Sequence, residues 1–243
     1  MSKYGWKSEI DRVFNRRYNR LPEVFFGEVP PDVFTWLKNM AKKAKEKNVD
    51  GRKGLYGHIN EEYDIYRHLE KSQHTVRPDD VHFIKYENFI KGCAFNDYFK
   101  DFWLNTSVLT MDCELKIVST WVNFQKKHEF NPPHNPTGVF SWIIFLNIPY
   151  SLEDEDRVFP ELNTNTNGHF RQPSTSRLSF LQISPTEKGG IEHIIFNVDK
   201  SFEGKILMFP SYMQHEVFPF YTSHDYRITI SGNSFFDVNK STS

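Results

Sequence analysis

Residues 119–150 read Ser119-Thr-Trp-Val-Asn-Phe-Gln-Lys-Lys-His-Glu-Phe-Asn131-Pro-Pro-His134-Asn-Pro136-Thr-Gly138-Val-Phe-Ser-Trp-Ile-Ile-Phe-Leu-Asn-Ile-Pro-Tyr150. The apolar and aromatic runs at either end have the make-up of β-strands. Between them, Asn131 to Gly138 contains three prolines, which fix φ and remove backbone donors, so this part is expected to be neither helix nor mid-sheet strand. The reading is strand, stiff polar loop, strand, with His134 held on the loop.

The same arrangement recurs in Glu203-Gly-Lys-Ile-Leu-Met-Phe-Pro-Ser-Tyr-Met-Gln-His215, followed by Glu-Val-Phe-Pro-Phe-Tyr-Thr-Ser-His-Asp-Tyr-Arg227-Ile-Thr-Ile-Ser-Gly-Asn. An apolar strand runs into a proline-containing turn, a histidine and a second alternating strand. Two histidines at strand ends, with Arg227 following the second, suggest a metal and an anion bound side by side. On an extended strand Arg227, Thr229 and Ser231 share one face.

Working outward, 243 residues suit one mostly β or mixed domain that needs no disulfide for stability. Aromatic residues make up 16% of the chain, 23 of them Phe, which favours pleated, half-buried surfaces and so a β-rich fold. With 30 Lys and Arg against 31 Asp and Glu, no global field recommends nucleic acid or an anionic membrane as partner. Cys93 and Cys113 read as free thiols of a reducing compartment, with pairing the lesser alternative. There is no window of membrane-span length and no signal-like amino terminus, and a cytoplasmic location is expected.

Along the chain, Leu21 to Gly27 reads as a short strand. Pro30-Pro31-Asp32 opens a helix in which Val33, Phe34, Trp36, Leu37, Met40 and Ala44 recur at three- and four-residue steps. Its lysine-rich end, Lys42 to Lys47, reads as a solvated helix terminus rather than a nucleic-acid contact. Residues 58–70 fit a partly exposed helix or an extended arm, and His58 and His68 there read as surface histidines. Residues 81–104 predict one or two amphipathic helices packed on a sheet, and Leu109 to Phe124 a strand. Tyr150 to Ser176 reads as a long polar loop of the lid or binding type, and strands resume at 178–183 and 191–198. The division expected is a helical and extended support over 1–105 and a β domain over 106–243.

The two histidine segments resemble the 2-oxoglutarate- and iron(II)-dependent oxygenases, in particular phage and marine-bacterial members. The resemblance rests on Asn131 to His134, Gly138, Ser141, Phe209 to Ser211, His215, Pro219, Arg227, Ile228 and Ser231, within about residues 115–236. It implies a double-stranded β-helix, or jelly-roll, with His134 and His215 as Fe(II) ligands and Arg227 binding the far carboxylate of the co-substrate 2-oxoglutarate. Thr229, Ser231 and Asn123 would line that pocket, with Trp142, Phe145 and Tyr212 as candidate walls. Read from the residues alone, Arg227 could equally be a strand Arg paired with Asp225 or Glu216, and Asn123 an ordinary half-buried polar residue. The chain departs from the family where a carboxylate or histidine follows His134 by two: Pro136 stands there, with no side-chain donor. Three outcomes follow from that. Water or a distant carboxylate (Glu129, or one of Glu153 to Asp156) completes the metal site; the position stays open to chloride, as in related halogenases; or the barrel serves as a binding module without catalysis. The primary substrate and the oligomeric state are not readable.

Overall fold

A computed structural model of the chain describes residues 24–52, 57–68, 75–99, 114–159, 174–183 and 190–237. Its strands are β1 (Phe25–Glu28), β2 (Glu62–Arg67), β3 (Glu114–Gln125), β4 (Asn131–His134), β5 (Phe140–Asn147), β6 (Leu178–Ile183), β7 (Ile191–Phe196), β8 (Lys205–Pro210), β9 (His215–Val217) and β10 (Arg227–Asp237). Its α-helices are α1 (Pro31–Lys47), α2 (Val81–Ala94) and α3 (Leu152–Val158).

Helix α1 forms where the apolar spacing predicts it. Pro31 occupies the first turn, where its missing N–H breaks no bond, and Asn48 ends the helix in the left-handed conformation at φ 52°. Its buried stripe, which includes Trp36, Leu37, Met40 and Ala44, packs on a six-stranded antiparallel sheet of order β1-β8-β5-β10-β3-β2. Helix α2 is capped by Asp80, whose side chain accepts from the amides of His82 and Phe83, and joins the same layer through Phe83, Tyr86 and Ile90. Phe102, Trp103 and residues 109–113 lie outside the described residues, as does Cys113; Cys93 is a buried free thiol.

The opposite face of the large sheet looks toward a four-stranded antiparallel sheet of order β4-β9-β6-β7. Leu207 and Phe209 of β8 and Phe145 of β5 meet Leu178, Phe180 and Phe196 of β6 and β7 in a second apolar core between the sheets. The fold is thus mostly β and antiparallel, with α1 and α2 on one outer face. Strands β1 and β2 from the amino-terminal third form the two edges of the large sheet.

Two sequence expectations are revised and a third, left open, is decided. The segment 131–138 is not wholly a loop, because Asn131–His134 forms β4 at the edge of the smaller sheet. Pro132 and Pro133 are tolerated there because an edge strand has one unpaired side. Of the two forms allowed for 58–70, the extended one is observed, as β2. The supposed loop after Tyr150 begins with α3, capped by Ser151, whose hydroxyl accepts from the Asp154 amide. Residues 160–173, the rest of that expected lid, lie outside the described residues.

Candidate metal and anion site

Alternation decides which side chains meet between the sheets. On β10, Arg227, Thr229 and Ser231 point to the inner face, while Ile230 between them is fully buried on the helix side. On β3 the residues opposite them are Gln125, Asn123 and Trp121, in that order. All six line a cavity of about 340 Å³, within the range for a small-molecule site.

His134 and His215 enter the same cavity from the smaller sheet. They are directly opposed across the β4–β9 pair, with ring centroids 4.3 Å apart. Nδ1 of His134 lies 2.8 Å from the carbonyl oxygen of Pro132. A carbonyl only accepts, so Nδ1 carries the proton and the lone pair is left on Nε2. Burial holds the His134 pKa below its ordinary value, and burial with the neighbouring His134 lowers that of His215 to about 3, against a smaller pull from the Met213 backbone. Both imidazoles are therefore neutral near pH 7. Nδ1 of His215 is a buried nitrogen that makes no well-formed hydrogen bond among the described residues, its approach to the Met213 backbone being too poor to count as one.

Gly138 closes the turn after β4 at φ +98°, and a Cβ there would meet the carbonyl oxygen of Ser234 at 2.2 Å. Only glycine lets the chain pass this close to β10 and return as β5. Just beyond it, the Ser141 hydroxyl donates to Asn233 Oδ1 at 2.7 Å and lies 2.8 Å from the Ser211 hydroxyl, which ties β5 and β10 to the turn after β8 beside the histidines.

Arg227 is 3% exposed, and all five of its N–H groups are directed at neutral oxygens. Nε and Nη2 donate to Gln125 Oε1, at 2.8 and 2.6 Å. Nη1 donates to the Tyr150 hydroxyl at 2.9 Å and the Ser176 carbonyl at 2.7 Å, and Nη2 donates to the Phe218 carbonyl at 2.9 Å. Neither Asp225 nor Glu216 is its partner; Glu216 lies 2.8 Å from His193 instead. The guanidinium is thus a buried cation whose hydrogen bonds are met but whose charge, among the described residues, is not. Neutral partners repay only part of the desolvation of such an ion, so it adds a strong pull for an anion in the cavity. Gln125 and Tyr150, which hold it, were not legible as site residues because their partner lies 102 and 77 positions away.

Residues 119–233, just under half of the chain, match the model of a family described as "Putative 2OG-Fe(II) oxygenase". That match supports the 2-oxoglutarate/Fe(II) oxygenase superfamily. A Pseudomonas putida prolyl-4-hydroxylase is similar in structure at 11% identity and a TM-score of 0.50, over 91% of this chain and 98% of its own. At that identity the likeness speaks for the fold alone. A Burkholderia pseudomallei oxidoreductase of the 2OG-Fe(II) oxygenase family gives 12% identity and a TM-score of 0.45, over 96% of this chain and 93% of its own. No curated protein matches the chain.

The residues present fit a superfamily metal in part. Two neutral imidazoles across one strand pair, His215 buried and His134 half-buried, suit a borderline divalent cation such as Fe(II). Among the described residues, however, no third His, Cys, Asp or Glu joins them in a cluster that could hold a metal. Pro136 lines the cavity without a donor. The carboxylates considered as replacements are engaged elsewhere. Glu129 accepts from Asn60 and from the Lys126 amide; Glu153 and Asp154 pair with Arg157; Glu155 accepts from the amides of Tyr221 and Thr222; Asp156 pairs with Arg177. Trp142 and Phe145 line the cavity as expected, whereas Tyr212 is 59% exposed and does not.

Proposed function

We propose that this protein is a 2-oxoglutarate- and Fe(II)-dependent oxygenase of the hydroxylase type, built on a double-stranded β-helix over residues 106–243 with 1–105 as its support. The observation that carries the reading is the meeting, in one cavity, of two neutral opposed imidazoles and a buried guanidinium with no counter-ion among the described residues. In this reading His134 and His215 hold the metal and Arg227 attracts the far carboxylate of 2-oxoglutarate. Thr229, Ser231 and Asn123 line the co-substrate pocket and offer hydroxyl and amide groups to it. Bound together, the metal and 2-oxoglutarate would activate dioxygen, which oxidises both the co-substrate, with loss of CO2, and an unactivated C–H bond, one oxygen atom going to each. The chain contributes rigidity: strand-borne ligands, an imidazole oriented by the Pro132 carbonyl, and a guanidinium fixed by Gln125 and Tyr150.

A second reading rests on Pro136. With no carboxylate beside the two histidines among the described residues, the coordination position stays open, which is compatible with halogenase-like use of chloride or with a barrel that only binds. A phage or marine-bacterial origin and a cytoplasmic location accompany the proposal; among the described residues no helix is long and apolar enough to cross a membrane.

Anaerobic addition of Fe(II) and 2-oxoglutarate tests the main reading. A weak visible charge-transfer band is expected, lost in His215→Ala and in Arg227→Ala. Absence of both the band and any thermal shift in the wild type would reject the oxygenase and leave the binding module. If chloride tightens the complex and Pro136→Asp removes that dependence, the open-position variant is correct.

A further inference from the structure

At the β2 edge of the cavity the unmet chemistry is of opposite sign to that at Arg227. Glu62 faces Asn123 across the β2–β3 pair, and Asn123 in turn faces Thr229 across β3–β10, so one polar row crosses the sheet floor. Glu62 is 4% exposed and Asn123 5%, and both line the cavity. Among the described residues, Glu62 Oε2 and Asn123 Oδ1 are buried acceptors without a hydrogen-bond partner, and Asn131 Oδ1, on the same cavity, is a third. The guanidinium of Arg227 has no N–H left to give them. Leaving a buried acceptor unpaired costs about 1–3 kcal/mol, so the cavity wall is poised for a ligand rich in donors.

Charge selects among such ligands. Around Glu62 the other charged groups pair off: Arg52 with Asp50 at 2.8 Å and Arg67 with Asp64 at 2.5 Å. Among the described residues, Glu62 is the odd acid of the group. Ile59 and Trp121 line the cavity as well, giving apolar and aromatic surface for a carbon chain. We propose that this wall is the primary-substrate subsite and that it takes a protonated alkylamine, with the Glu62 carboxylate as counter-ion and the Asn123 amide oxygen as a second acceptor. The proposal goes beyond the oxygenase reading and stands on residues that reading does not use, Asn123 apart. Burial first, then the nearby Asp64, push the Glu62 pKa up to about 8, with Asp50 adding to the rise and Arg67 and Arg52 opposing it. Near neutral pH the empty subsite is thus protonated, and a cation entering it displaces that proton.

The test is calorimetric titration of the metal-free full chain with n-butylammonium chloride, and with n-butanol as the neutral counterpart, in phosphate and in HEPES. At pH 7 the amine should bind at least tenfold more tightly than the alcohol, with close to one proton released per ligand, and tighten about tenfold from pH 6 to 7 and about fivefold from pH 7 to 8. Glu62→Gln should lose the preference and the proton release, and Asn123→Leu should weaken binding less. Equal affinity for amine and alcohol in the wild type, or binding without proton release, overturns the proposal whatever the variants do. Because no metal or 2-oxoglutarate is present, failure here leaves the charge-transfer test of the oxygenase reading untouched, and the reverse holds too.

Discussion

The two faces of the six-stranded sheet use the same strands for opposite ends. On the helix side, Val122, Ile144, Ile206, Met208 and Ile230 are completely buried against α1 and α2. One residue along, on the side of the cavity, stand Asn123, Phe145, Thr229 and Ser231, with Arg227 and Gln125 at the strand ends. The pleat therefore separates stability from chemistry at a spacing of one residue. Polar groups on the inner face weaken the fold, and the apolar outer face offsets them.

Substitutions one position apart should have different consequences, and this gives the comparison its sharpest test. Ile230→Ala, on the outer face, should lower stability by about 2–5 kcal/mol in urea titration while leaving Fe(II) and 2-oxoglutarate affinities unchanged. A loss of ligand affinity as large as the loss of stability would show that the faces are not independent. Arg227→Met, on the inner face, removes the unmatched cation. Its 2-oxoglutarate affinity should fall by roughly thirtyfold to a thousandfold, about 2–4 kcal/mol, as read by titration of the Fe(II) complex. A fall below threefold would mean that the anion lies elsewhere.

A smaller effect is expected in the acid stability of the histidine pair. His215 has a folded pKa of about 3 against 6.5 ordinarily, so its share of stability is fully present above pH 6.5 and is lost as pH falls toward 3. Melting temperature measured from pH 7 to 4 should therefore drop less steeply in His215→Ala than in the wild type. Parallel curves would place the acid-sensitive group outside the cavity. The smallest change is Thr229→Val, an inner-face residue with no charge, which should alter stability by no more than about 0.5 kcal/mol and weaken the co-substrate a few-fold at most.

Much of this division could be read before any coordinates. The three- and four-residue steps of Val33, Trp36, Leu37, Met40 and Ala44 gave α1, and alternation after Arg227 placed Thr229 and Ser231 on its face. His134, His215 and Arg227, singled out from their segments, all line one cavity. What escaped was decided by position in the sheet rather than by composition. Three prolines argued against a strand at 131–134, yet an edge tolerates them. In Glu62–Arg67 acids stand where a strand's buried residues would be, because that face meets the cavity. Four consecutive acidic residues after Leu152 suggested a loop, although Ser151 and Asp154 at capping spacing signalled a helix start.

Gln125 sits at a junction whose meaning reaches past its two hydrogen bonds. Its oxygen takes two N–H groups of Arg227, and its Nε2 donates to the backbone carbonyl of Glu129, so the amide has only one workable orientation. Replacing that amide with a carboxylate would exchange the bond to Glu129 for an internal salt link to the guanidinium. A single Gln125→Glu change would then neutralise the attraction that draws anions inward, while setting a carboxylate oxygen against the Glu129 carbonyl.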